Sequence, residues 1–178
     1  MDPFIIDEPT CISFSGGRTS AYMLWRVLQS NQGLPPEAIV CFANTGKEDE
    51  ATLRFVDRCS KDWSVPITWI EYDWKEDSKS RWKLVTFETA SRNGEPFEAA
   101  IRSRRYLPNP VTRFCTSVLK IRPFAQYLAT IGEDWTQMVG IRADEHRRVA
   151  KIRSRPVEDG FERIMPLADA GVTKTDVG

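Results

Sequence analysis

The chain has 178 residues, 41% of them apolar and 28% charged, and its 25 basic and 25 acidic side chains leave a formal net charge of zero. That balance belongs to a folded globular protein and excludes a generally basic, polyanion-coating one, while leaving room for a local basic pocket. No apolar run approaches the roughly 20 residues of a spanning helix. The acidic start, "MDPFIIDEPT", lacks a signal peptide's basic opening and apolar middle, so a cytoplasmic protein with no membrane partner is expected.

In chain order, "TCISF" (Thr10–Phe14) is a short apolar run that predicts a buried strand. "SFSGGRTS" (Ser13–Ser20) follows. Ala21, Leu24, Trp25 and Leu28 then recur at i, i+3, i+4 and i+7, the spacing of one helical face. "NQGLPPE" closes that helix with turn residues. "AIVCFAN" (Ala38–Asn44) predicts a second buried strand, and "TGKEDE" a turn. Thr52, Phe55, Val56 and Cys59 share a second helical face, and "ITWIEY" (Ile67–Tyr72) predicts a third strand. Strands alternating with helices over short connections imply an α/β fold: an open, mainly parallel sheet with helices on both faces.

From Trp74 to Thr112 the pattern is irregular, interrupted by Asn93-Gly94, Pro96, Pro108 and Pro110, with a helix expected over Pro96–Arg104. Ile121, Phe124, Ala125 and Leu128 mark a further helix whose first turn accepts Pro123. "TQMVGIR" (Thr136–Arg142) predicts a fourth strand, "ADEHRRVAKIRSR" a polar loop, and "RIMPL" a short strand. With no internal repeat, a single domain over residues 1–178 is expected. Its ending, "LADAGVTKTDVG", reads as the beginning of another helix, so a natural C-terminal extension is expected to be missing.

In open parallel sheets ligands bind beyond the carboxyl ends of the strands, where helix N-termini offer unpaired N–H groups and a dipole that favours anions. "SFSGGRTS" falls at such a place. Gly16 and Gly17 permit close backbone approach, Ser15 and Ser20 bring hydroxyls, and Arg18 brings a planar, permanently charged fork. Together they suit phosphate, pyrophosphate or sulfate. The same residues also describe an ordinary glycine turn with a serine cap. The stretch matches neither GxxxxGK[ST] nor GxGxxG, which disfavours a conventional P-loop and a dinucleotide fold.

Arg102, Arg104, Arg105, Arg113, Lys120 and Arg122 stand between Ile101 and Arg122 with no acidic residue among them. They form either concentrated positive charge for an anionic ligand or a solvated basic face. Cys11, Cys41 and Cys59 fall on predicted strands and a helical face and read as small buried hydrophobes. Cys115 lies between Arg113 and Lys120, basic neighbours that favour thiolate. His146 sits in a charged loop with Asp144 and Glu145, which either pair with nearby arginines or place a metal on a nucleotide. Trp25 fits the apolar face of the first helix; Trp74 and Trp82 either pack or stack on a base.

Taken together, "SFSGGRTS", "FANTGKEDEATLRFV", "RFCTSVLKIRPF" and "VGIRADEHRR", in that order, resemble the PP-loop nucleotide α-hydrolase superfamily. Within it they resemble the phosphoadenosine phosphosulfate (PAPS) reductase-like family of phage and mobile-element type, from Thr10 to Leu167. The resemblance implies an adenine nucleotide α-hydrolase-like (Rossmann-like) sheet. It implies an enzyme that binds an adenine (sulfo)nucleotide, either PAPS or ATP with magnesium, and acts at its α-phosphate or sulfonyl end. Ser15, Gly16, Gly17, Arg18, Thr19 and Ser20 would then cradle the phosphate-like end, and Asn44, Thr45 and Gly46 would lie near adenine and ribose. Arg142 would reach the anionic groups, and Arg113, Cys115 and Lys120 would line the reacting end.

Two features depart from that pattern. Thr19 stands where many ATP-cleaving members carry Asp, and no cysteine follows Cys115, so the C-terminal nucleophile of PAPS reductases is absent from this chain. An iron–sulfur cluster with Cys115 as one ligand would need additional cysteines that the chain does not contain. Two alternatives therefore stand beside the enzyme. One is a non-catalytic adenine-nucleotide-binding module, working as a homodimer or a partner subunit. The other is an ATP-dependent sulfur transferase acting on nucleic acid, whose backbone would meet the basic segment.

Overall fold

The apolar runs read from the sequence form the inner strands of a seven-stranded sheet. The computed structural model describes residues 1–104, 119–158 and 161–178, so the expected roles of Arg113 and Cys115 lie outside the described residues. The strands are β1 (Thr10–Ser13), β2 (Ala38–Asn44), β3 (Ile67–Tyr72), β4 (Trp82–Val85), β5 (Thr136–Met138), β6 (Val157–Glu158) and β7 (Phe161–Ile164). Their order is β4-β3-β2-β1-β5-β7-β6. The five inner strands run parallel, and β4 and β6 flank them antiparallel.

Side chains alternate between the two faces of the sheet, and each face is covered by helices. On one face Ile12, Val40, Phe42, Trp69 and Met138 pack under α1 (Arg18–Ser30) and α2 (Glu50–Asp62). On the other, Cys11, Cys41, Ala43 and Ile70 meet Phe124 and Leu128 of α4 (Arg122–Ile131), with α3 (Glu95–Arg104) preceding it in the chain. Pro123 takes the expected place in the first turn of α4. The α/β class expected from the sequence is the one observed.

Besides the edge strands β4 and β6, which the sequence does not predict, four elements differ from the sequence expectation. In α1 the buried stripe is Ala21, Met23, Leu24 and Val27, while Trp25 is 42% exposed and leans on Tyr22 with ring centroids 5.8 Å apart. The stripe follows the smaller side chains that fit against the sheet, and the indole is left at the rim. β5 stops at Met138, because the Ile141 N–H turns back onto the Val139 carbonyl at 3.1 Å and leads the chain out of the sheet.

The polar stretch expected to be a loop contains α5 (His146–Ser154). Its buried Val149 and partly buried Ile152, three residues apart, pack with Ile141, Met165 and Ala168. A single helical turn of contact suffices there, and six polar residues hide it in the sequence. The terminal stretch forms two short helices, α6 (Pro166–Asp169) and α7 (Lys174–Val177), rather than the start of one. Among the described residues no helix is long and apolar enough to cross a membrane.

Candidate anion-binding site

The strand order reverses at β1: β2 lies on one side and β5 on the other. In an open sheet this is where the loops beyond the carboxyl ends separate and leave a crevice. The loop from Ser15 to Gly17 opens into it. Gly16 is buried with φ +83°, and a Cβ there would lie 2.7 Å from Thr52 Cγ2 and 3.2 Å from Val56 Cγ2. Only glycine lets the loop rest this closely on α2. Gly17 is the extended N-cap of α1 (φ −95°, ψ 169°), and no side chain caps the helix. The first-turn N–H groups are therefore left to solvent or a ligand.

Ser20 braces the loop from beneath. Its buried Oγ accepts the Ser15 N–H (3.1 Å), donates to the Gly17 carbonyl (3.1 Å) and lies 3.0 Å from Ser15 Oγ. Ser15 is exposed at the mouth. Arg18 is exposed and donates through Nη1 to the Gly178 carbonyl at 3.2 Å, which ties α1 to the end of α7.

On the β5 side the chain passes tightly over the start of α1: a Cβ on Gly140 would sit 3.3 Å from Ser20 Cα. Two residues later, Arg142 Nη1 donates to Thr19 Oγ1 at 3.1 Å, so the arginine reaches the first turn of α1 from across the crevice. Its Nε donates to Asp144 (3.0 Å), and its backbone N–H donates to Glu145 (2.8 Å), which also accepts from Arg148 (2.8 Å). Desolvation raises the Asp144 pKa, but the Arg142 hydrogen bond and a backbone N–H outweigh it and hold the carboxyl below its ordinary range. For Glu145 desolvation is likewise outweighed, by the Arg142 backbone N–H and by Arg148, and its pKa is also lowered. Of the two alternatives left open by the sequence, the structure pairs these carboxylates with arginines. His146 begins α5, is exposed, and lines a shallow cavity of ≈ 330 Å³ with Ala143, Val149 and Arg153, away from the loop.

On the β2 side Asn44 is fully buried, and its amide is spent internally: Nδ2 donates to Glu71 (2.7 Å) and to the Ser91 carbonyl (2.9 Å). Thr45 Oγ1 donates to Glu48 (3.0 Å), and Gly46, at φ +82°, accepts the Gly94 N–H at 3.0 Å. Lys120 is exposed directly after Leu119, which packs on Tyr72 at the carboxyl end of β3, so it stands at the same edge of the sheet.

Cys11, Cys41 and Cys59 are buried and free. A hydrogen bond with Cys41, and then burial, push the Cys11 thiol well above the ordinary thiol range. Trp82 packs edge-on against Tyr127, and Trp74 against the Tyr72 cluster. Among the described residues no group of three or more His, Cys, Asp or Glu side chains is placed to hold a metal.

Sequence reading missed Gly140, Glu71, Ser91 and Gly94. Gly140 follows an apolar run, and Glu71 is the lone charge in "ITWIEY"; both signals are visible in the sequence. Nothing local marks Ser91.

The fold defines an α/β protein of the adenine nucleotide α-hydrolase class, with a glycine–serine loop at the switch point of its sheet. Residues 9–177 match the phosphoadenosine phosphosulfate reductase domain, and the chain belongs to that family. It is also similar to an uncharacterized nin region protein of Escherichia phage lambda, 32% identical over 145 residues, which cover 78% of this chain and 49% of the relative. The chain thus spans about half the length of that relative.

Proposed function

We propose that the chain binds an adenine nucleotide, PAPS or magnesium-ATP, with its phosphate-like end on residues Ser15–Ser20, and acts at the α-phosphate or sulfonyl group. The observation that carries this reading is the junction of the uncapped α1 N-terminus with Arg142, which reaches Thr19 from the opposite side of the crevice. Unpaired backbone N–H groups and a guanidinium at the same helix terminus suit charge that develops on a transferred group. Arg142 would exchange its Thr19 contact for the anion, while Asp144 and Glu145 keep it oriented. Asn44, Thr45 and Gly46 would stand on the adenine and ribose side, and Lys120, with Arg113 and Cys115, at the reacting end.

A second reading, a nucleotide-binding module without chemistry, is favoured by the burial of Cys11, Cys41 and Cys59, which leaves none of the three able to act as a sulfur nucleophile at this edge.

Calorimetric titration with PAPS, with adenosine phosphosulfate and with magnesium-ATP tests the binding. One of the three is expected to bind, with affinity falling roughly tenfold in Arg142→Ala, as the loss of a charge-assisted contact implies. Binding of none, or equal binding by the variant, contradicts the reading. Turnover of the bound nucleotide separates the enzyme from the module.

A further inference from the structure

Glu71 is a fully buried carboxylate, and among the described residues no arginine or lysine is bonded to it. It occupies the next-to-last position of β3, where an apolar residue would suit the sheet better, and it is paired in register with Asn44 at the end of β2. A charge is held in such a place only if donors saturate it. Three do: Asn44 Nδ2 (2.7 Å) and the Ser91 N–H (2.6 Å) on Oε2, and the Ser91 hydroxyl (2.7 Å) on Oε1.

Together with the direct Asn44 Nδ2 bond to the Ser91 carbonyl (2.9 Å), these bonds join two segments of the chain. Asn44 leads into the Gly46 turn and Ser91 into the Gly94 turn, and the turns meet where Gly94 N–H donates to Gly46 O at 3.0 Å. Both glycines have positive φ, and a Cβ on Gly46 would lie 3.1 Å from the Gly94 backbone, so the turns lie in direct contact. Lys47 lies across Gly94, its Cε 2.6 Å from where a Cβ would be. The adjacent Arg92 donates to Glu50 of α2 at 2.8 Å, the helix on which Gly16 rests. The double turn is therefore one rigid wall of the crevice. Neighbouring strands are about 4.8 Å apart, so this wall stands one to two strand spacings from the anion loop. That is the reach from a nucleotide's phosphates to its sugar and base.

We infer that Glu71 is a positioning residue for the base-side wall of the site: its carboxylate gathers Asn44 and Ser91 and thereby sets the Gly46–Gly94 double turn against the nucleoside. The inference rests on the nucleotide reading above. It makes Asn44 a link in the wall rather than a direct ligand contact, and it predicts that Glu71 matters for a nucleoside but not for a bare phosphate chain.

The test compares calorimetric affinities for magnesium-ATP and for inorganic pyrophosphate. Glu71→Ala is expected to lose roughly tenfold or more on ATP, since three bonds to a charged acceptor vanish, and to stay within about twofold on pyrophosphate. Glu71→Gln keeps an oxygen for Asn44 and the Ser91 N–H and is expected within about threefold of wild type on both. If Glu71→Ala does not fold, Ser91→Ala, at a half-exposed position, decides alone, with a loss of about threefold on ATP only. Wild-type binding of both ligands with variants that bind ATP unchanged, or that lose both ligands equally, overturns the inference and leaves the nucleotide reading standing. Where the wild type binds PAPS instead of magnesium-ATP, the same comparison is read with PAPS; wild-type protein that binds neither nucleotide, or pyrophosphate alone, overturns the nucleotide reading and this inference with it.

Discussion

Gly16→Ala puts a side chain where the loop touches α2. At φ +83° an L-residue costs about 1–2 kcal/mol in backbone conformation. The new Cβ would also meet Thr52 Cγ2 at 2.7 Å and Val56 Cγ2 at 3.2 Å. Both neighbours are β-branched helix residues with little rotamer freedom, so α2 itself must shift, an overpacking cost of about 1–3 kcal/mol. The sum, about 2–5 kcal/mol, corresponds to a fall in Tm of roughly 4–20 °C for a chain of this size. Gly171→Ala isolates the backbone part, since at φ +71° its Cβ meets nothing within 4 Å. Gly17→Ala, at φ −95° with Ser15 Oγ 3.6 Å away, avoids both costs and should lose no more than about 1 kcal/mol, as a weaker N-cap. Urea unfolding of the three variants measures the differences. Gly16→Ala no more costly than Gly171→Ala would refute the close packing of loop on α2.

Ser20→Ala strips the Ser15 N–H of its acceptor and should cost about 1–2 kcal/mol in the same urea assay; an unchanged midpoint would remove the brace assigned to Ser20. Cys11 and Cys41, buried with the Cys11 thiol pushed up, should escape iodoacetamide in the native protein and react only in urea, as peptide mass spectrometry reads directly; native-state labelling would contradict their burial. The Arg142 contacts carry a pH signature. Asp144 and Glu145 have folded pKa values below their ordinary 3.8 and 4.5, so the stability they contribute is present above those values and lost as pH falls through the lower folded ones. Arg142→Ala should therefore destabilise the protein at pH 7 and converge on wild type in acid, once both carboxylates are protonated, in chemical denaturation. A difference that persists in acid would assign the arginine's role to packing.

The inner sheet was legible because parallel strands buried on both faces read as unbroken apolar runs. The bounds of β2 and β3 coincide residue for residue with "AIVCFAN" and "ITWIEY". The edge strands β4 and β6 were not read: Lys83, Leu84 and Val157 are exposed, so selection for burial leaves no alternation there. α5 was missed because its contact is confined to Val149 and Ile152 amid basic residues, and Trp25 was misplaced because periodicity alone does not decide which adjacent side chain faces the sheet.

At the site, the glycine–serine loop was visible as a motif, and its location at β1 followed from strand order. Its partners were not. Thr19 and Arg142 are 123 residues apart, and Glu71 and Ser91 are 20 apart across an irregular segment. Only the folded sheet brings them to one edge. The lone charge of Glu71 in an apolar strand was a readable sign that a buried acceptor had to be satisfied, but not by whom.

The central claim is that a nucleotide sits in the crevice beyond β1, between Arg142 and the Gly46–Gly94 wall. The most direct measurement is a titration of amide chemical shifts in the ¹⁵N-labelled protein with magnesium-ATP and with PAPS. Shifts concentrated at residues 15–20, 140–142 and 45–47 would bear the account out. Shifts confined instead to the shallow cavity beside α5, around His146 and Arg153, or to the outer surface of α2 near Arg54 and Lys61, would place the ligand elsewhere and contradict it.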